Sequence, residues 1–271
     1  MKSFHPIERL LRGLTDLFVF HPERGQRVLP SDLGIPYQHL WLTASDGVRT
    51  EAWWMPSSQS AGPLWPATIL TFHGNAGTMA DRLDWCREAL ARGASVLAVE
   101  YRGYGNSDGR PSEDGLRRDA LVAFERAREL AAEQAGPLLV HGRSLGGAVA
   151  IGLAAEVSPD GLVAESTFTS IAEMAVLTAI PFAARLATYR FESIVSLPQV
   201  AAPVFLVHGR TDELIPFAMG EALRDARQSA GVPVHFLEVT GGEHNGAWRF
   251  AGEEYWQQLA AWYGAEVFES G

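Results

Sequence analysis

One serine in this chain stands in a setting that could make it a nucleophile. Ser144 lies in the stretch LLVHGRSLGGAVAI (residues 138–151), with Gly142 two positions before it and Gly146 two positions after it. This G-x-S-x-G spacing is typical of a sharp turn from strand to helix, where larger flanking side chains would clash. The turn presents the hydroxyl at the edge of a sheet and points the first helix amides at the group under attack. The pattern alone is weak, because Gly and Ser are common in turns.

A serine hydroxyl needs a base to take its proton, and that base is usually a histidine oriented by a carboxylate. In a strand–nucleophile–helix scaffold, the acid and then the histidine follow the serine along the chain. His235 lies within a strand pattern, so its side chain is committed to one face of the sheet. His244 lies in the glycine-flanked loop TGGEHNG, which can reach over the edge of the sheet. We therefore predict that His244 is the base.

The acid should follow the next-to-last long strand, where the segment HGRTDELIP offers Asp212 and Glu213. Asp212 is the shorter residue and comes directly after the strand end, so we predict that it is the acid. Glu165, at the end of the preceding strand, is the alternative acid. The alternative for Asp212 is a purely structural role, as a residue that forms a turn or caps a helix.

The oxyanion of a tetrahedral intermediate needs backbone donors. One predicted donor is the amide of Leu145, the residue after the nucleophile. The second is the amide of Asn75 in the loop FHGNAGT, whose glycines let the backbone approach closely. A simple glycine-rich turn is the alternative for this loop.

These residues must be positioned by a scaffold, and the hydrophobic pattern predicts an α/β fold. A hairpin over residues 37–43 and 48–55, joined by Ser-Asp-Gly, comes first. Continuous apolar runs then alternate with helical patterns, which indicates a largely parallel central sheet with helices on both faces. The predicted strands are 67–72, 94–100, 138–140, 161–164, 204–207 and 234–239, and the predicted helices are 79–92, one capped by Ser112, 216–228 and 250–263.

Three predicted strand ends share a His-Gly dipeptide, and they should meet at the carboxyl edge of the sheet. They are His73-Gly74, His141-Gly142 and His208-Gly209. A metal site is one interpretation, but the spacing is not a ligand motif, so we favour buried, hydrogen-bonded histidines. Cys86 lies on an apolar stripe of a predicted helix and is interpreted as a core thiol rather than a reactive one.

The composition is that of a globular protein, with 271 residues, 47% hydrophobic and 20% charged. A net charge of −10 gives no indication of a nucleic-acid partner, since phosphate binding needs clustered Lys and Arg. The single cysteine allows no intrachain disulfide, so an oxidising compartment is not required. No secretory pattern and no run of ~20 apolar residues is present. We expect a cytoplasmic protein, with peripheral membrane contact as an alternative.

That alternative depends on residues 7–20, whose apolar positions have the spacing of an amphipathic helix. Such a helix packs on the domain or on a neighbouring chain, or it lies in a membrane interface. The predicted organisation is a helix and connection over residues 1–36, followed by one domain over residues 37–271. The oligomeric state is left open.

The motifs FHGNAG, EYRGYGNSDG, HGRSLGGAVA, DELIPF and GGEHN occur in this order. With them the chain resembles the α/β-hydrolase superfamily, and more narrowly its bud-emergence-like and alpha/beta-hydrolase-domain-containing branch. The resemblance implies the α/β-hydrolase fold, a triad of Ser144, Asp212 and His244, an oxyanion loop at residues 73–75 and no cofactor. It also implies a cap inserted between two strands, here residues 166–199, where Ser170 and Glu173 predict a capping box.

We predict a serine hydrolase that cleaves small-molecule carboxylic esters of short to medium acyl chain through an acyl-enzyme. A thioesterase and an amidase or peptidase are the alternatives within enzymes. A non-catalytic interaction module that keeps the fold is the alternative from another class. The cap is interpreted as a lid over the acyl pocket, with plain surface packing as its alternative.

Overall fold

The computed structural model describes residues 19–177 and 189–268, and most of these belong to one large sheet and the helices around it. Within these residues, ten strands are formed in chain order. They are β1 (His21–Pro22), β2 (Gln38–Thr43), β3 (Arg49–Met55), β4 (Thr68–Phe72), β5 (Ala76–Gly77), β6 (Ser95–Val99), β7 (Leu138–Arg143), β8 (Gly161–Glu165), β9 (Val204–Gly209) and β10 (His235–Val239).

Eight of these strands form the central sheet, in the order β10-β9-β8-β7-β4-β6-β3-β2. Strand β3 is antiparallel to both of its neighbours, and all other pairs in this sheet are parallel. This confirms the predicted fold class of a mostly parallel sheet with an antiparallel N-terminal hairpin. Because β4 and β7 are central and lie side by side, the loop after β4 and the turn after β7 meet at one edge.

Helices cover both faces of the sheet. They are α1 (Leu83–Ala91), α2 (Glu113–Gln134), α3 (Leu145–Glu156), α4 (Ile171–Leu177), α5 (Ser193–Ser196), α6 (Phe217–Ser229), α7 (Ala247–Ala251) and α8 (Glu253–Trp262), with 3-10 turns at Pro30–Leu33, Met79–Arg82 and Leu197–Gln199 and a π-helical end at Tyr263–Phe268.

Two helix predictions need correction. The predicted helix 250–263 is two helices, because Gly252 adopts φ 57° and ψ −128° and breaks the hydrogen-bond ladder between α7 and α8. The predicted helix 79–92 begins as a 3-10 turn, where the Thr78 side chain accepts from the Ala80 amide, and continues as α1. Other predicted elements agree with the structure to within a few residues at their ends, and the Ser112 side chain caps α2 by accepting from the Gly115 amide at 3.1 Å.

The core lies on both faces of the sheet, which explains the continuous apolar runs. In β4, Leu70 and Phe72 belong to the apolar cluster under α2 and α3, whereas Ile69 belongs to the cluster under α1 and α8. A strand buried on both faces has no exposed positions, and even Thr68 and Thr71 of β4 are buried. Cys86 is fully buried in the second cluster, and burial raises the pKa of its thiol to about 12.

A short parallel pair, β1 with β5, lies outside the main sheet. It belongs to a segment that we call the strap, residues 20–26, which crosses the loop after β4. Residues 7–18 of the predicted amphipathic helix lie outside the described residues. Within residues 19–177 and 189–268, no helix has the length and apolar character that a bilayer crossing requires.

The predicted cap, residues 166–199, is described in two pieces that contain α4 and α5. The Ser170 part of the predicted capping box is present, since Ser170 Oγ accepts from the Glu173 amide at 3.2 Å. The Glu173 carboxylate accepts a hydrogen bond from the Thr169 hydroxyl. Residues 178–188 of the cap lie outside the described residues.

Candidate active site

Ser144 occupies the turn between β7 and α3 with φ 57° and ψ −121°, a conformation that is strained for a residue with a side chain. The turn leaves no room for a side chain at Gly142 or at Gly146. A Cβ on Gly142 would lie 2.0 Å from the carbonyl oxygen of Gly146, and a Cβ on Gly146 would lie 2.3 Å from that of Phe72. The flanking glycines are therefore required by close backbone approach, as the spacing predicted.

The structure brings Ser144, His244 and Asp212 into one hydrogen-bonded chain. Nε2 of His244 lies 3.2 Å from Oγ of Ser144, and Nδ1 lies 2.9 Å from Oδ2 and 3.1 Å from Oδ1 of Asp212. Because a carboxylate only accepts, Nδ1 carries the proton and Nε2 is free to accept from the serine hydroxyl. All three side chains are buried. This geometry can move a proton from the hydroxyl to the imidazole and stabilise the imidazolium that results.

Asp212 is held by its own turn as well as by histidines. Its Oδ1 accepts from the amides of Leu214 and Ile215 at 3.0 and 2.8 Å, so the turn-forming role and the contact with His244 coexist in one side chain. Burial on its own raises the pKa of Asp212. The hydrogen bonds from His208 and His244 outweigh burial and hold that pKa well below its ordinary value. The carboxylate is therefore charged at neutral pH.

Glu165, the alternative acid, is committed to other partners. Its Oε1 lies 3.3 Å from Nε2 of His141 and accepts a hydrogen bond from the hydroxyl of Tyr255. Burial raises the pKa of Glu165, but the contacts with His141 and Tyr255 outweigh it and bring the pKa below its ordinary value. The geometry therefore favours Asp212 over Glu165 as the partner of His244.

The three strand-end histidines are buried, and each faces a carboxylate. Nε2 of His73 lies 2.6 Å from Oε1 of Glu100, His141 faces Glu165, and His208 lies 3.5 Å from Asp212. Sequence reasoning missed these pairs, although Glu100 was visible as a charged residue directly after an apolar strand. Among the described residues, no set of three or more His, Cys, Asp or Glu side chains is arranged to hold a metal ion.

The loop after β4 lies against the nucleophile. A Cβ on Gly74 would lie 3.6 Å from Cβ of Ser144, so the backbone next to Asn75 runs beside the serine. Leu145 is the first residue of α3, and the first amides of a helix have no partner within it. Both predicted donors therefore belong to segments that adjoin Ser144. The Asn75 side chain is itself anchored, since its Oδ1 accepts from the His21 amide and the Tyr104 hydroxyl, both at 3.0 Å.

Arg143 is a buried cation beside the nucleophile that sequence reasoning did not single out. Its Nη2 donates to Oδ1 of Asn245 at 3.0 Å, which ties the nucleophile turn to the loop that carries His244. Burial and the positive charge of Arg82 lower the pKa of Arg143 to about 9. The signal available in the sequence was the position of Arg143 directly before Ser144.

Comparisons with known proteins show which sequences and structures this chain resembles. The family described as "Serine aminopeptidase, S33" matches residues 66–197. The alpha/beta hydrolase domain-containing protein WAV2 of Arabidopsis thaliana is 32% identical over 250 residues, covering 85% of this chain and 79% of that protein. The lysophosphatidylserine lipase ABHD12 of Danio rerio is 31% identical over 250 residues, covering 77% of this chain and 64% of that protein. The structure of the Pyrococcus furiosus esterase Pf2001 is similar with a TM-score of 0.75 and 20% identity, covering 92% of this chain and 98% of that one.

Proposed function

Since this chain belongs to the α/β-hydrolase family, in the branch of the alpha/beta hydrolase domain-containing proteins, we propose that it is a serine hydrolase that cleaves carboxylic esters through an acyl-enzyme. The observation that supports this most strongly is the 3.2 Å contact between Nε2 of His244 and Oγ of Ser144, with Asp212 behind the imidazole. A serine, a histidine and an aspartate in this order of contact are the parts that acyl transfer needs.

In the first half of the reaction, His244 takes the hydroxyl proton as Oγ of Ser144 attacks the acyl carbon. The tetrahedral oxyanion accepts hydrogen bonds from the amides of Asn75 and Leu145. The intermediate collapses, the ester C–O bond breaks, and His244 gives its proton to the departing alcohol. The acyl group is then covalently attached to Ser144.

In the second half, His244 takes a proton from water, and the resulting hydroxide attacks the acyl carbon. A second tetrahedral oxyanion forms in the same place. Its collapse breaks the bond to Oγ and releases the acid, while His244 returns the proton to Ser144. One ester and one water are consumed in the cycle, and one alcohol and one acid are released.

Fluorophosphonate labelling tests the nucleophile directly. We expect the probe to label the folded wild type on Ser144, and Ser144→Ala to abolish both labelling and p-nitrophenyl ester hydrolysis. Ser193→Ala is the matched control, because Ser193 is also buried but lies in α5. Folded wild type that takes up no probe would contradict the proposal and favour a non-catalytic interaction module.

The proposed substrates are small-molecule esters, because a lipase is among the relatives and an esterase among the structures of the same fold. The short to medium acyl chain is the prediction made from the sequence. Graded p-nitrophenyl esters, the matching acyl thioesters and amino-acid p-nitroanilides separate the possibilities. We expect the highest kcat/KM for an ester of short to medium chain. A thioester or anilide optimum would replace the proposed substrate class and leave the nucleophile in place.

We further propose that the described pieces of the cap, residues 166–177 and 189–199, cover the acyl side of the site. Met174 in α4 packs against the apolar cluster that contains Leu145, whereas Val176 on the same helix is 68% exposed. Met174→Ala should therefore shift the preferred acyl length, and Val176→Ala should leave it unchanged. Phe182, the other position predicted to set this preference, lies outside the described residues. An unchanged preference in Met174→Ala would refute the lid role.

A further inference from the structure

The strap is bonded to the loop that carries the proposed oxyanion donor. In the β1–β5 pair, His21 is opposite Ala76 and Pro22 is opposite Gly77, so the strap adds a strand to this loop. The His21 amide also donates to Oδ1 of Asn75 at 3.0 Å. The sequence separation is 54 residues, so the strap reaches Asn75 only through the tertiary fold.

Tyr104 completes this contact from the other side. Its hydroxyl donates to the same Oδ1 of Asn75 at 3.0 Å and accepts from the His21 amide at 3.2 Å. Tyr104 is fully buried, and burial raises its pKa well above the ordinary value, so the hydroxyl keeps its proton and remains a donor. Asn75 Oδ1 is therefore fixed by two donors from two distant segments.

Both ends of the strap are anchored. At one end, the Phe20 ring packs edge-on against Tyr189, with centroids 5.1 Å apart. At the other end, Nε2 of Gln26 donates to Glu51 and Glu100 at 3.0 and 2.9 Å. Glu100 is the carboxylate that faces His73, two residues before Asn75.

The middle of the strap is bonded to the backbone next to Tyr104. The Gly25 amide donates to the carbonyl of Gly105 at 2.9 Å, and the Gly105 amide donates to the carbonyl of Glu23 at 2.8 Å. Because anchors lie on both sides of His21, its amide is held at a defined place relative to Asn75.

We propose that Tyr104 and the His21 amide are positioning groups that fix Asn75, so that its backbone amide stays directed at the developing oxyanion. The inference rests on the proposed function, because it assigns a task within the same site. An oxyanion donor is effective only if it is aimed before charge develops. Rotation of one peptide plane in this loop would turn the amide away, and the two hydrogen bonds to Oδ1 oppose that rotation.

Two pairs of variants test this role. Tyr104→Phe removes the hydroxyl and keeps the ring. Its control is Tyr263→Phe, because the buried Tyr263 hydroxyl has no hydrogen-bond partner among the described residues. His21→Pro removes the imidazole together with the amide proton that Asn75 Oδ1 and the Tyr104 hydroxyl accept. Its control is His21→Ala, which also removes the imidazole but keeps that amide.

We expect Tyr104→Phe and His21→Pro each to lower kcat about tenfold with KM changed less than about twofold, short of the ~10²–10³ that follows loss of a donor itself. Inhibition by a trifluoromethyl ketone, which forms a tetrahedral oxyanion on the serine, should weaken by the same factor as kcat/KM. Both controls should match the wild type. A purely structural role would lower the melting temperature without this parallel loss.

The outcomes separate this inference from the proposed function. If Ser144→Ala is inactive while Tyr104→Phe and His21→Pro behave like their controls, the positioning role is wrong and the proposed function stands. If Ser144→Ala keeps its esterase activity, the proposed function is wrong and this inference falls with it. Should Tyr104→Phe fail to fold, the comparison of His21→Pro with His21→Ala decides, because His21 is exposed.

Discussion

Nε2 of His208 lies 3.5 Å from Oδ2 of Asp212, the same carboxylate oxygen that Nδ1 of His244 approaches to 2.9 Å. Nε2 of His208 also contacts the carbonyl oxygen of Ile215 at 2.9 Å. Because a carbonyl only accepts, that nitrogen carries a proton and can share it with Asp212. The strand-end histidine and the proposed catalytic acid thus belong to one buried network, which keeps Asp212 ionised and in place.

The two candidate acids should differ in their effect on catalysis. We expect Asp212→Asn to lower kcat by roughly 10⁴, the size typical when the imidazole loses its orienting carboxylate. Glu165→Gln should keep kcat within about threefold, because Glu165 contacts His141 and Tyr255 instead of His244. Steady-state ester hydrolysis measures both. Equal losses in the two variants would contradict the assignment of Asp212.

Glu165→Gln should instead affect stability and its dependence on pH. The pKa of Glu165 is lowered in the folded protein. The contribution of the Glu165 carboxylate to the free energy of unfolding is therefore complete above the ordinary glutamate pKa of ~4.3. It is lost as the pH falls through the lowered pKa. We expect the variant to be less stable at pH 7, by about 3 kcal/mol, since the buried group that contacts His141 and Tyr255 loses its negative charge.

Urea unfolding at pH 7, 5, 4 and 3 measures this difference. The free energy of unfolding of the wild type should fall more steeply than that of Glu165→Gln between pH 5 and 3, so that the two curves converge in acid. Asp212 is present in both proteins and cancels in the comparison. Parallel curves across this range would show that the Glu165 carboxylate is not stabilised by its partners.

Local patterns were enough to predict the eight strands of the central sheet and the proximity of the three proposed catalytic residues. The apolar run before Ser144 predicts a buried strand. Gly142 and Gly146 predict a tight turn, in which a side chain at either position would clash with backbone atoms. His244 and Asp212 follow strands whose carboxyl ends share one edge, so their meeting follows from the parallel topology. These inferences need only periodicity, turn chemistry and chain order.

Contacts that depend on the register between distant segments could not be predicted. Nothing near His73 in the sequence specifies Glu100 as its partner, because the pair forms only once β4 and β6 are aligned side by side. The same is true of the strap, whose amide at His21 meets Asn75 through the tertiary fold. The helix break at Gly252 was missed for another reason, since the apolar stripe continues across it and hides the backbone change.

The Cys86 thiol should be unreactive in the native protein. It is fully buried, and burial raises its pKa to about 12, so almost no thiolate exists at pH 8. We expect no reaction with a disulfide reagent such as Ellman's reagent at pH 8 until denaturant unfolds the chain, after which one thiol should react. Cys86→Ala should keep full esterase activity. Rapid reaction of the native protein would contradict the interpretation of Cys86 as a core residue.

Two glycines of α3 should respond in opposite ways to substitution by alanine, although they lie on the same helix. A Cβ on Gly146 would lie 2.3 and 2.5 Å from the carbonyl oxygens of Phe72 and His73, and backbone atoms at such distances cannot move aside cheaply. Gly146→Ala would therefore push α3 away from the loop after β4. We expect a loss of more than about 10² in kcat, since the donors on both sides of the oxyanion would separate.

Gly152 provides the matched control within the same helix. A Cβ there would meet nothing within 4 Å, and the position is exposed. Alanine is favoured over glycine in a helix interior by about 1 kcal/mol, so Gly152→Ala should raise the melting temperature by roughly 2–4 °C and leave kcat unchanged. Thermal unfolding and ester hydrolysis on the two variants measure both effects. Wild-type activity in Gly146→Ala would contradict this prediction. It would mean that the two proposed oxyanion donors do not depend on the close packing of α3 against the loop after β4.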